Sequence, residues 1–192
     1  MRSDYFEKEL ELINRFTREK LDKEDVYVFT VILCDNEIDR DNEAFSVDSL
    51  FELERLLVGK TGIITHKPEH RNSTARIFVC AVENVPGKKN KAGKDYYRLV
   101  ARAFIPIKKS NLDVIFDIKN GVLKEISLGC SVGKRRCSIC GENINLCRHE
   151  KGKMYNGKLC YEILDNPTDA YEWSFVAIPT RKRKAKVRRI RR

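Results

Sequence analysis

Four cysteines and a histidine crowd the stretch from Cys137 to Cys160, between two segments that both read as core strands, GVLKEISLGCSVG (121–133) and DAYEWSFVAIP (169–179). The crowded stretch holds few apolar side chains, so it cannot build a core of its own. It has to be carried as an insertion by one domain whose strands lie on either side of it.

The rest of the chain supplies the other elements. Residues 4–20 read as an amphipathic helix, with Asp4 as cap, Glu7 three residues on, and Phe6, Leu10, Ile13 and Leu21 at helical spacing. VYVFTVIL (26–33) is β-branched and aromatic and reads as a buried strand, followed by the polar turn DNEIDRDNE (35–43). Ser46 caps a helix that Gly59 ends. Strands are expected at 61–65, 75–85 and 95–105, the last two joined by the Gly/Lys-rich loop PGKKNKAGK. Ser110 is expected to cap a second core helix, NLDVIFDIKN, closed by Gly121. Strand 122–132 then leads into the cluster, Asn156-Gly157 marks a tight turn within it, and a last strand covers 171–178. About six strands and three helices without βαβ alternation predict an α+β domain with a mostly antiparallel sheet or barrel.

The formal net charge of +10 is not a property of this domain. Nine Lys or Arg and no acid sit in RKRKAKVRRIRR (181–192), which leaves the body nearly neutral. Such a tail has almost nothing to bury and is expected to be disordered, able to bind nucleic acid or an acidic protein surface through charge alone. No apolar run approaches the ~20 residues of a membrane span. MRSDYFEKEL lacks the apolar stretch of a signal peptide, so no membrane contact and an intracellular location are expected. An odd total of seven cysteines, four of them clustered, argues for a metal site in a reducing compartment over a disulfide scaffold.

Cys137 and Cys140 lie in a C-x-x-C turn with Gly141 just beyond, a spacing that lets both sulfurs reach one tetrahedral ion. Cys147 and His149 complete a Cys3His set, with Cys160 the substitute if His149 points away. Lys134, Arg135, Arg136 and Arg148 flank the set and are expected to favour thiolates. Four protein ligands leave no position for water, so a zinc ion here is expected to be structural. The alternative is a group of exposed thiols with no ion.

His66 ends a strand at the mouth of a polar loop, where functional side chains are often displayed; His70, in the same loop, reads as solvated surface. Ser127 sits mid-strand between Ile126 and Leu128, which alternation places on the opposite face. A serine and a histidine need an acidic third group to make a nucleophile and its base, and Glu172 and Asp169 are the nearest by layout, with Asp165 further off. Alone, each of these residues is more often a locally hydrogen-bonded strand serine or a solvated loop histidine.

Taken in order, VILCDNEIDRDNEAF, GKTGIITHKPEH, TARIFVCAV, GVLKEISLGCSVG and DAYEWSFVAIP resemble the sequence blocks of the tailed-phage prohead (head maturation) proteases. The matching blocks span residues 26–180, and the cysteine segment is similar to that of a phage subgroup with a CxxC…CxH insertion. The resemblance implies an assemblin-like fold, a mostly antiparallel β-barrel surrounded by helices. It would comprise an N-terminal helix at 1–24, the domain at 25–180 with a zinc-knuckle insertion at 134–162, and the basic tail at 181–192. It implies a serine endopeptidase that trims scaffold and major capsid proteins, and itself, inside the procapsid in the cytoplasm of an infected bacterial host. The family's histidine falls on His66, its nucleophile on Ser127 and its acidic member on Glu172, with Asp169 second; Ser174 belongs to the same motif and looks structural. A homodimer is the expected assembly. The competing expectations are a catalytically silent virion or scaffold component with the same fold and knuckle, and a nucleic-acid-binding module.

Overall fold

A computed structural model describes residues 2–64, 66 and 74–176. Helix α1 (Arg2–Asn14) leads into the long strand β1 (Val26–Asp35), the short strand β2 (Glu43–Phe45) and helix α2 (Val47–Leu57). Strands β3 (Thr61–Ile64), β4 (Ala75–Lys89) and β5 (Asp95–Pro106) follow, then a 3₁₀ turn at Lys109–Asn111 and helix α3 (Leu112–Asn120). Strand β6 (Glu125–Cys137), the small hairpin β7 (Met154–Tyr155) and β8 (Lys158–Leu159), and strand β9 (Glu162–Val176) complete the described chain.

Seven strands form one sheet in the order β1-β5-β4-β3-β9-β2, with β6 on the other flank of β9. Most pairs are antiparallel; β2 and β3 run parallel to β9 and share one of its edges, β2 at Glu162–Leu164 and β3 at Trp173–Phe175. The sheet does not close, because among the described residues no ladder joins β1 to β6. This corrects the expected barrel: the class is α+β, but the architecture is an open, mostly antiparallel sheet.

Alternation along β1 shows how the layers arise. Phe29, Val31 and Leu33 point into the main core with Leu50, Leu53 and Leu57 of α2, Ile115 and Ile118 of α3, and Trp173 and Phe175 of β9. Val26 and Val28 face the other way, into a smaller cluster with Ile13 of α1, Phe78 and Phe104. The sheet therefore lies between α1 on one face and α2 with α3 on the other. On the α1 side Arg102 makes a forked ion pair with Glu9, Nε to Oε1 at 2.6 Å and Nη2 to Oε2 at 2.8 Å.

Helix α2 starts as expected. The Ser49 N–H donates to Ser46 Oγ at 3.1 Å, and Gly59, past the last turn, takes φ 85°. Helix α3 does not: Ser110 lies within the 3₁₀ turn and Asn111 occupies the cap position without a side-chain cap bond. Helix α1 ends at Asn14, short of residue 20, where the Asn14 side chain accepts from the Leu21 N–H at 2.8 Å and donates to the Leu21 carbonyl at 3.0 Å. Thr65, residues 177–178 of the expected last strand, His70 and the basic tail at 181–192 lie outside the described residues.

The β6–β9 ladder runs much further than either serine-bearing segment suggests, from Glu125↔Val176 to Cys137↔Glu162. The cysteine segment is thus the tip of a long two-stranded ribbon. Two register shifts interrupt the ladder, between Gly129 and Cys130 and between Ser131 and Val132, each leaving one extra residue on β9.

Candidate functional site

Strand β9 separates β3 from β6, and all three bring the expected site residues to one region. Trp173 and Phe175 face the core, so Glu172 and Ser174 face the other side. Directly across the ladder Glu172 opposes Gly129 and Ser174 opposes Ser127. Paired residues of antiparallel strands share a face, with Cβ atoms about 5 Å apart. Ser127, half-buried, is therefore beside Ser174.

His66 arrives from the end of β3, whose Ile63 pairs with Ser174 in parallel register. Its backbone has φ 55°, the left-handed region that a non-glycine residue enters at a cost on the order of 1 kcal/mol or more. The imidazole Nδ1 lies 2.7 Å from Glu172 Oε1 and 3.2 Å from Ser174 Oγ. The Ser174 hydroxyl donates to Glu172 Oε2 at 2.6 Å. The His66 side chain is 45% exposed and that of Glu172 20%, so the pair sits at the edge of solvent with its carboxylate partly shielded.

Of the acids considered from sequence, only Glu172 meets His66. Asp169 pairs with Lys60 at 3.6 Å, and Asp165 is taken by Arg136. Two glycines make the arrangement sterically possible. A Cβ on Gly62 would fall 2.4 Å from the Trp173 ring, and one on Gly129 would fall 3.0 Å from Glu172 Oε1. The second glycine is what lets a carboxylate lie across β6 two residues from Ser127. Sequence reasoning missed both roles, since nothing local marks which strand a glycine will face.

The ribbon tip carries the second cluster. One donor atom each from Cys137, Cys140, Cys147 and His149 lies within 4.8 Å of all the others. The C-x-x-C turn is fixed by the Gly141 N–H donating to the Cys137 carbonyl at 2.9 Å, with Gly141 at φ 80°. Cys147 is placed by its own N–H donating to the Asn143 carbonyl at 3.1 Å. His149 packs edge-on against Tyr155, ring centres 4.6 Å apart, and its Nδ1 is buried with no hydrogen-bond partner. A buried, unpartnered ring nitrogen beside three sulfurs is what a ligand position requires, so this donor set fits a soft or borderline cation.

Cys160 joins them from the far side of the β7–β8 hairpin, fully buried, its Sγ 3.8 Å from that of Cys137. Sulfurs about 2.3 Å from one tetrahedral ion stand about 3.8 Å apart. Cys160 thus reaches Cys137, while the set whose donors are all mutually close is Cys137, Cys140, Cys147 and His149. The hairpin turns at Asn156-Gly157, both at positive φ, as the dipeptide suggests.

The thiols are electrostatically unequal. Burial pushes Cys137 up, but N–H groups of Cys140 and Ile139 aimed at its sulfur, with donation from the Cys140 and Cys147 thiols, bring it down to about 6. Burial, then the Cys137 sulfur as hydrogen-bond partner and charge, pushes Cys160 up to about 11; Cys147 is raised by burial and by Cys137 as well. One thiolate thus suppresses the others, a repulsion that a cation would reverse. Two of the flanking arginines expected to do this are engaged elsewhere. Arg135 reaches Glu162 Oε1 at 2.6 Å and Arg136 holds Asp165; the lowering of Cys137 comes from the backbone N–H groups and neighbouring thiols.

No helix among the described residues is long and apolar enough to cross a membrane. No family model matches the chain, and no curated protein or solved structure matches it.

Proposed function

We propose that this chain is a serine endopeptidase of the prohead-protease kind. Ser127 is the nucleophile, His66 the general base and Glu172 the group that orients it. The observation that carries the reading is the 2.7 Å contact of His66 Nδ1 with Glu172 Oε1, made by a histidine in a strained backbone conformation, with only strand β9 between its own strand and that of Ser127. An ionised carboxylate only accepts, so Nδ1 bears the hydrogen and Nε2 is left as the basic nitrogen. His66 Nε2 takes the Ser127 hydroxyl proton as Oγ attacks a scissile carbonyl. The imidazolium, stabilised by Glu172, returns that proton to the leaving amine. Water then hydrolyses the acyl-enzyme by the same proton path in reverse.

The proposed substrates are extended segments of phage scaffold and major capsid proteins, and of the chain itself, cut within the procapsid in the host cytoplasm. The metal is zinc in a structural role, held by Cys137, Cys140 and Cys147 with His149 or Cys160. Bound there, it would neutralise the thiolate charge and tie the ribbon tip to the hairpin.

Intact mass of wild type and Ser127→Ala, incubated concentrated alone and with a scaffold protein, tests the function. Truncation or scaffold cleavage by wild type only is expected. Identical behaviour of the two, with scaffold present, sinks the protease reading and leaves a structural capsid or scaffold component.

A further inference from the structure

The Ser174 hydroxyl has one proton, and the structure sends it to Glu172 Oε2 at 2.6 Å. Its lone pairs are then what faces His66 Nδ1 at 3.2 Å, so the single Nδ1 hydrogen is shared between Glu172 Oε1 and Ser174 Oγ. Imidazole, carboxylate and hydroxyl close a ring in which both carboxylate oxygens accept. Ser174 is fully buried, so water cannot replace either of its bonds. A hydroxyl that only filled space in a strand would not need to meet both the base and its carboxylate.

We infer that Ser174 is a positioning residue, acting through Glu172. It fixes the carboxylate plane and thereby the Nδ1–H tautomer of His66, which leaves Nε2 unprotonated on the side away from Glu172. Glu172 and Ser174 are two apart on one strand and share a face, which is why both reach the same ring. The inference rests on the proposed role of His66 as base.

Nitrogen-15 NMR of the full chain tests it, with the His66 signals identified by their loss in His66→Gln. Wild type is expected to show one neutral tautomer, protonated at Nδ1, and Ser174→Ala a mixture. On the scaffold substrate Ser174→Ala is expected to lower kcat about tenfold with KM unchanged, the scale of one charge-assisted hydrogen bond. In a Glu172→Gln background the same substitution is expected to cost nothing more. A single Nδ1–H tautomer in Ser174→Ala, or losses that add in the two backgrounds, overturns the inference. Should Ser174→Ala fail to fold, Ser174→Cys, with similar volume and a weak donor, must show the tautomer mixture or the inference fails. If wild type and Ser127→Ala cleave alike, the protease reading falls on its own, while the tautomer spectra still decide what Ser174 does.

Discussion

The three-strand site and the ribbon tip are built by opposite means from the same pair of strands. At one end β6 and β9 are backed by Trp173 and Phe175, both fully buried, and polar groups are held over a packed core. At the other end the same strands run out into a segment with exposed large side chains, Leu146 at 84% and Met154 at 61%. Among the described residues the metal-ligating groups that converge there are three sulfurs and one imidazole, beside a small apolar cluster of Ile38, Ala44 and Tyr161 and the ion pairs of Lys151 with Glu43 and Glu162. The site end is ordered by apolar burial and can sustain strain at His66. The tip has a far smaller apolar reserve, Ile38, Ala44 and Tyr161 with Leu159 and Ile163, so an ion held by its donors would add much to its order. Two cysteines mark the contrast: Cys80 in the core is pushed up to about 12, Cys137 at the tip drawn down to about 6.

The strongest way to break this comparison is to remove the proposed zinc ion. Chelation, or Cys137→Ser, is expected to forfeit binding energy on the order of 10 kcal/mol. Hydrogen exchange should then rise across residues 138–161 while the β1–β5–β4 ladder stays protected. Unchanged protection at the tip would show that it folds without an ion. Native mass spectra of His149→Ala and Cys160→Ala then identify the fourth ligand, since loss of the true one weakens retention far more than loss of its neighbour.

Next in size is His66→Gln, expected to lower cleavage on the order of 10⁴-fold or more with the melting temperature almost unmoved. A large loss of stability instead would make His66 part of the scaffold. The two glycines sharpen the same distinction on a smaller scale. Gly62→Ala drives a methyl into the Trp173 ring and should cost about 1–3 kcal/mol by denaturant titration. Gly129→Ala presses on Glu172 Oε1 instead, so activity should fall while stability drops by about 1 kcal/mol or less. Equal stability losses would mean that the carboxylate is as tightly packed as the tryptophan.

The last effect is alkaline. Burial, then the negative charge of Glu54, raises Cys80 from its ordinary 9.0 to about 12. A folded pKa above the unfolded one means that its contribution is complete below about pH 9 and is lost as pH rises towards 12, at up to about 1.4 kcal/mol per pH unit. Urea midpoints taken between about pH 9 and 11 should therefore fall faster for wild type than for Cys80→Ala; parallel curves would count against a buried neutral thiol.

Local signals were sufficient where the physics is local. Ser46 and Gly59 bound α2, Asn156-Gly157 turns a hairpin, and C-x-x-C with Gly141 builds a two-sulfur turn, because caps, left-handed turns and short chelating loops are decided within a few residues. The run of Cys and His likewise announced a cluster able to hold a cation, without any knowledge of the sheet. Tertiary structure alone decided the rest. That Glu172 and not Asp169 meets His66 depends on a parallel pairing of β3 with β9 across more than a hundred residues of chain. Whether the sheet closes depends on an edge contact between β1 and β6 that no local pattern encodes, and the ribbon's length on pairing that continues through polar sequence. Arg135 and Arg136 could not be read as engaged until Glu162 and Asp165 were brought opposite them. Side-chain type fixes which chemistry is available; strand order and register, set by burial summed over the whole core, fix which of those groups meet.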